Sequence, residues 1–92
     1  MTRVIKRNGR REAFSVRKLR KSIASAARES DITVKRAREV VRDISRATTA
    51  TARKRNEIRS RDLRAMVLRK LDATEPAVSR AWRRYDKSRG KR

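Results

Sequence analysis

Apolar residues recur at helical spacing in four stretches of the chain, and a short extended run precedes the first of them. Val16, Leu19, Ile23, Ala26 and Ala27 trace one face of a helix that Ser15 is placed to cap and that ends near Ser30. Thr33 stands at the start of a second, in which Ala37, Val40, Val41 and Ile44 repeat the i, i+3, i+4, i+7 pattern. The pattern fades over residues 48–51, where small and β-branched side chains take over. Ser60 is the candidate cap of a third helix, with Asp62 suited to the positive end of its dipole and Leu63, Met66, Val67 and Leu71 as its apolar face. Glu75-Pro76 opens a fourth, because Pro is tolerated in a first turn, and Val78, Ala81, Trp82 and Tyr85 form its stripe.

At the N-terminus Val4 and Ile5 lead into Arg7-Asn8-Gly9-Arg10, and Asn-Gly between extended runs is a strong hairpin signal of the type I′ kind. The expected strands are residues 3–7 and 10–14, with Arg7 opposite Arg10 and Lys6 opposite Arg11 across a two-residue loop. Like charges directly opposed are destabilising, which leaves two readings: an anion sits among them, or the long side chains splay into water. Residues 53–59 are polar around Ile58 alone and fit either a loop or a short third strand. The fold class is therefore α+β and mainly α: a four-helix bundle covered by a small N-terminal hairpin, with or without a third strand. One domain over residues 1–86 is expected, followed by a flexible basic tail over residues 87–92 where the apolar pattern stops.

Charge changes the picture from scaffold to partner. Thirty Lys and Arg stand against 10 Asp and Glu, a formal net charge of +20 on 92 residues. Self-repulsion of that size opposes a compact state, and a polyanion removes the penalty while releasing counterions. Most of the cations are Arg, whose planar fork binds phosphate bidentately. They fall in rows: Arg17, Lys21 and Arg28 on the first helix; Lys35, Arg38, Arg42 and Arg46 on the second; Arg80, Arg83, Arg84 and Lys87 on the fourth. Arg10 and Arg11 in the hairpin, with Arg53, Lys54 and Arg55 after the second helix, extend the set. Guanidinium groups about 5–6 Å apart on a helix can follow a sugar-phosphate backbone. Base readout has little to work with, since Asn8 and Asn56 are the only Asn and Gln is absent. Trp82 and Tyr85 read as core rather than stacking platforms, so sequence-tolerant backbone binding is the expected mode.

Absent residue types narrow the chemistry. Without Cys or His there is no thiolate, no imidazole base and no usual zinc site, and the scattered carboxylates lie among cations that hold them ionised. Catalysis and a bound metal are not expected. Gly occurs only at positions 9 and 90, so a nucleotide site would be built from side chains rather than a glycine-rich loop. No apolar run approaches a membrane span and the N-terminus has no apolar leader core, which points to the cytoplasm.

The run Val4-Ile5-Lys6-Arg7-Asn8-Gly9-Arg10-Arg11-Glu12-Ala13-Phe14, followed by Lys18-Leu19 and Ile23, resembles the ATP-cone domain of ribonucleotide reductases and of the bacterial ribonucleotide reductase repressor. Ile58-Arg59-Ser60-Arg61-Asp62-Leu63 with Val67-Leu68 is similar to the start of that family's third helix, and Ala81-Trp82-Arg83-Arg84-Tyr85 to its closing helix. The resemblance implies a helical bundle under a three-stranded sheet, with an adenine nucleotide between the two. It assigns Lys6 and Arg7 to the triphosphate or to closing over the base, Glu12 to positioning the nucleoside, Lys18 and Ser60 to the phosphates, and Arg64 to a helix position that faces the same pocket. Ser15 stands where the family usually has Asp or Asn. The 92 residues hold neither a reductase catalytic domain nor a zinc ribbon, and the family carries more acids than this chain.

The leading expectation is a small nucleoid-associated DNA-binding protein on an ATP-cone-like fold, with no required cofactor and ATP or dATP as a modulator. A stand-alone ATP/dATP sensor that acts on a partner protein or through a homo-oligomer is the alternative. RNA or ribosome association is a third, because backbone charge does not separate RNA from DNA.

Overall fold

The computed structural model of the protein describes residues 2–90, with side chains described through Arg84. Three short strands, β1 (Arg3–Ile5), β2 (Arg11–Ala13) and β3 (Glu57–Arg59), accompany four helices, α1 (Val16–Arg28), α2 (Val34–Ala52), α3 (Ser60–Thr74) and α4 (Pro76–Gly90). The helices follow from the apolar stripes. Leu19 and Ile23, Val40 and Ile44, Val67 and Leu71, and Val78, Ala81 and Trp82 meet in one core, each helix packing on the next and α4 returning to α1. The sheet has the order β2-β1-β3, with β1 antiparallel to β2 and parallel to β3. Val4 lies between Glu12 and Ile58 in register, and the buried Val4 and Ile58 turn one sheet face toward the helices.

Local chemistry sets the boundaries. Ser15 and Thr33 accept the backbone N–H of Lys18 and Arg36 and start α1 and α2 as side-chain caps. Thr2 is buried and its hydroxyl donates to the carbonyls of Ala52 and Arg55, at 3.2 and 2.9 Å, which anchors the start of the chain to the C-terminal end of α2.

Several expectations are corrected. Gly9 has φ of +86° and is the only residue with positive φ among those described, so the hairpin is not a type I′ turn, which would need Asn8 in the left-handed region too. Instead the Gly9 N–H donates to the Lys6 carbonyl, the Lys6 N–H to the Arg10 carbonyl, and the Arg10 N–H to the Asn8 side chain. This is a three-residue loop with a glycine bulge, and it shifts the register: Arg11 faces Ile5, and Lys6 rather than Arg7 meets Arg10. The strands are correspondingly shorter than residues 3–7 and 10–14. The second helix does not fade at residues 48–51 but runs to Ala52, because Ser45, Thr48, Thr49 and Ala52 are buried and continue its inner face. The residues 53–59 are partly turn and partly strand, with β3 confined to the end around Ile58. Arg59, not Ser60, is the N-cap of α3, since β3 passes straight into the helix, and no side chain caps it. The described backbone of α4 runs from Pro76 to Gly90, and the last two residues of the expected tail lie outside the described residues.

Ion pairs join the elements. Arg36 on α2 reaches Glu75 at 2.8 Å, Glu39 at 3.4 Å and the Thr74 carbonyl at 3.4 Å, tying α2 to the α3–α4 corner. Arg83 on α4 forks onto Asp72 on α3 with contacts of 2.9 and 2.8 Å. Arg11 on β2 reaches Glu57 on β3 at 2.8 Å across β1.

Thr48 is fully buried and its hydroxyl has no hydrogen-bond partner among the described residues. Thr48→Val, nearly isosteric, removes that unmet group and is expected to stabilise the fold by about 1 kcal/mol, read as a higher urea midpoint at unchanged slope. The Arg83 fork holds the Asp72 carboxyl down at about 2 against an ordinary 3.8. A depressed carboxylate contributes stability that is complete above the ordinary value and is lost as pH falls through the folded one, so this joint weakens between 3.8 and about 2. A carboxyl NMR titration should place the Asp72 midpoint at about 2, and Arg83→Gln should raise it toward the ordinary 3.8 but not all the way, because the hydrogen bond from Ser79 still lowers it.

Candidate functional site

The inner face of the sheet, one side of α1 from its N-cap to Glu29, the start of α3 and Trp82 of α4 surround a cleft of about 590 Å³. That size suits a ligand as large as a nucleotide. Lys6, Glu12, Ser15, Lys18, Ser60 and Arg64 all line it, although they come from the end of β1, from β2, from the N-cap and first turn of α1, and from α3. Arg7 does not: it sits in the hairpin turn, outside the lining. Lys18 Nζ lies 3.4 Å from Glu12 Oε1, so the base of the hairpin and the first turn of α1 hold each other by charge.

Two features give the cleft a positive bias. Lys6, Lys18, Lys21 and Arg64 face it against the two acids Glu12 and Glu29. The N-terminal ends of α1 and α3 also open there, and no side chain caps α3, which leaves first-turn N–H groups for an anion although Asp62 in the same turn already offsets part of the dipole. Beside this polar set, Val4, Phe14, Leu19, Leu63 and Trp82 supply apolar wall. The arrangement can hold a molecule with one highly anionic part and one flat apolar part, by side chains and helix ends alone.

Several lining residues escaped the sequence reading. Lys21, expected in an outward basic row, belongs to the cleft, and Trp82 serves both the core and the cleft wall. Lys18, Ser22, Ser25 and Glu29 form a polar stripe at helical spacing beside the apolar stripe of α1, and that spacing was the available signal.

The residues expected to meet nucleic acid are spread over several faces. Arg11, Arg42 and Arg83 are engaged by Glu57, Asp43 and Asp72, and Arg28 donates to Ser25. The side chains of Arg17, Lys35, Arg38 and Arg46 are exposed with no acid in contact among the described residues. The same holds for Arg10 in the hairpin turn, for Arg53, Lys54 and Arg55 after α2, and for Arg80 and Arg84 on α4. The Lys87 side chain lies outside the described residues. No helix among those described is long and apolar enough to cross a membrane.

No curated protein matches the chain in sequence. The family model of the ATP cone domain matches residues 2–91, a span that takes in the whole sheet, all four helices and every residue of the cleft, and the chain belongs to the ATP-cone family.

Proposed function

We propose that this ATP cone is an adenine-nucleotide sensor, a regulatory module that binds ATP or dATP in the cleft between sheet and bundle. What supports the reading is that six residues nominated by family resemblance, separated by up to 58 positions, converge on one cavity of nucleotide size. In it Lys6, Lys18, Lys21 and Arg64 neutralise the phosphates, with the Ser60 hydroxyl and the open end of α3 as further donors. Glu12 orients the sugar or base through its acceptor oxygens. Arg7, at the hairpin tip, closes over the ligand from outside. Ser15 supplies one hydroxyl where the family usually has a carboxylate or amide, and its oxygen already accepts the Lys18 N–H at 3.2 Å.

A second reading concerns the exterior. The +20 charge and the acid-free cations of α1, α2 and α4 favour a nucleic-acid backbone, DNA before RNA, bound with little sequence preference in the manner of a nucleoid protein. In this reading ATP occupancy alters the affinity or the self-association, and the protein resides in the cytoplasm on the nucleoid.

Calorimetry in high salt, where nonspecific phosphate attraction is screened, is expected to detect ATP and dATP binding. Lys18→Ala should weaken it about tenfold, near 1.4 kcal/mol, while Arg84→Ala leaves it unchanged. Binding that is absent, or indifferent to Lys6→Ala, Glu12→Ala and Lys18→Ala, refutes the sensor. For the second reading, log affinity for duplex DNA should fall with log salt at a slope near −0.9 per phosphate neutralised. Joint reversal of Arg46, Arg53 and Arg55 to Glu should lower affinity equally for unrelated sequences, and a flat salt response rules the mode out.

A further inference from the structure

On the side of α1 away from the nucleotide cleft, α1 and α2 flank a second groove of about 620 Å³ that shares no lining residue with the first. Its floor is apolar: Ala24 of α1, Ile32 of the connection, and Val34, Ala37 and Val41 of α2. Small side chains keep it concave, and Val34 at the start of α2 is 71% exposed, an outlier among large apolar residues of this surface. Four guanidinium groups, Arg20 and Arg28 on one bank and Arg38 and Arg42 on the other, rim the floor, and no acid lines it. Asp43 engages Arg42 at 3.0 Å, whereas Arg20 and Arg38 have no acidic partner among the described residues.

We propose that this groove is the docking site for an acidic amphipathic helix of a partner protein. Charge complementarity selects the occupant. A second copy of the chain would bring another +20 against the rim. A nucleic-acid backbone could meet the four arginines, but would leave the apolar floor and Val34 in water. A helix with apolar residues at i, i+3, i+4 and i+7 and Glu or Asp on both flanks satisfies floor and rim together. The α1 bank from Arg20 to Arg28 is about 12 Å long at 1.5 Å per residue, so two to three turns of the ligand fill it. The assignment moves Arg28, Arg38 and Arg42 out of the polyanion rows, and it goes beyond the sensor reading without depending on any cleft residue.

The test uses two fluorescein-labelled Glu-rich peptides of identical composition, one with a leucine stripe at i, i+3, i+4 and i+7 and one with the same residues permuted to break the stripe. At near-physiological salt, anisotropy should show the striped peptide binding about tenfold tighter to the full chain. Val34→Ser, at an exposed position and checked for unchanged helicity by circular dichroism, should remove most of that advantage, and Arg38→Gln should weaken the striped peptide several-fold. Lys18→Ala should leave it intact, which separates this proposal from the nucleotide reading. Equal affinity of the two peptides overturns the proposal, as does an advantage that survives Val34→Ser. Duplex DNA that loses affinity by the same factor on Val34→Ser assigns the groove to nucleic acid instead and also overturns it.

Discussion

Everything in this molecule depends on one small apolar core holding together a surface that repels itself. The core draws its large side chains from all four helices, Ile23, Ile44, Val67, Leu71, Val78 and Trp82 among them, so no helix can leave without opening the others. The scarce acids are arranged accordingly. Glu12, Glu57, Asp72 and Glu75 each meet a cation on a different element, at the joins of β2 with α1, β2 with β3, α3 with α4, and the α3–α4 corner with α2. Exposed pairs of this kind contribute little individually, but at these positions they remove repulsion where elements approach most closely. The remaining cations face outward in excess, which is why the surface keeps its demand for a counter-anion after the fold is complete.

The same economy of acids shapes the cleft. The sheet is held by the Thr2 hydroxyl on the end of α2 and by the buried Val4 and Ile58, and a gap remains between its inner face and the helices α1 and α3. That gap brings two helix N-termini and four cationic side chains to one place with only Glu12 and Glu29 to oppose them. A glycine-rich loop is unnecessary there, because helix ends and long basic side chains supply the donors.

Periodicity made the four helices legible, and their partners in the core with them, because each stripe has one face and one destination. What depended on a single dihedral angle or on distant neighbours was not. Asn8-Gly9 announces a turn, but whether Asn8 also enters the left-handed region decides the register, and with it which arginine meets which. Thr48 and Thr49 look like a helix end in sequence, and burial against the rest of the bundle overrides that local signal. Lys21 and Arg83 read as members of rows facing a nucleic-acid backbone, whereas Lys21 lines the cleft and Arg83 is engaged by an aspartate eleven residues away. Six of the seven nucleotide positions nominated by resemblance share the cleft because the hairpin motif, α1 and α3 carry them on rigid elements, whereas Arg7 belongs to the turn.

The position of α1 gives the proposals a common mechanical basis. Leu19, Ile23 and Ala26 of this helix face the core, Lys18, Ser22 and Ser25 the cleft, and Arg20, Ala24 and Arg28 the second groove. One thirteen-residue helix thus forms a wall of both cavities, capped by Ser15 at the cleft end and leading through Ile32 to the groove end. A close-packed helix moves as a unit, so any displacement of α1 at the cleft would carry the Arg20–Arg28 bank with it. Were the two proposed sites coupled through this helix, linkage would require each ligand to change the other's affinity by the same factor.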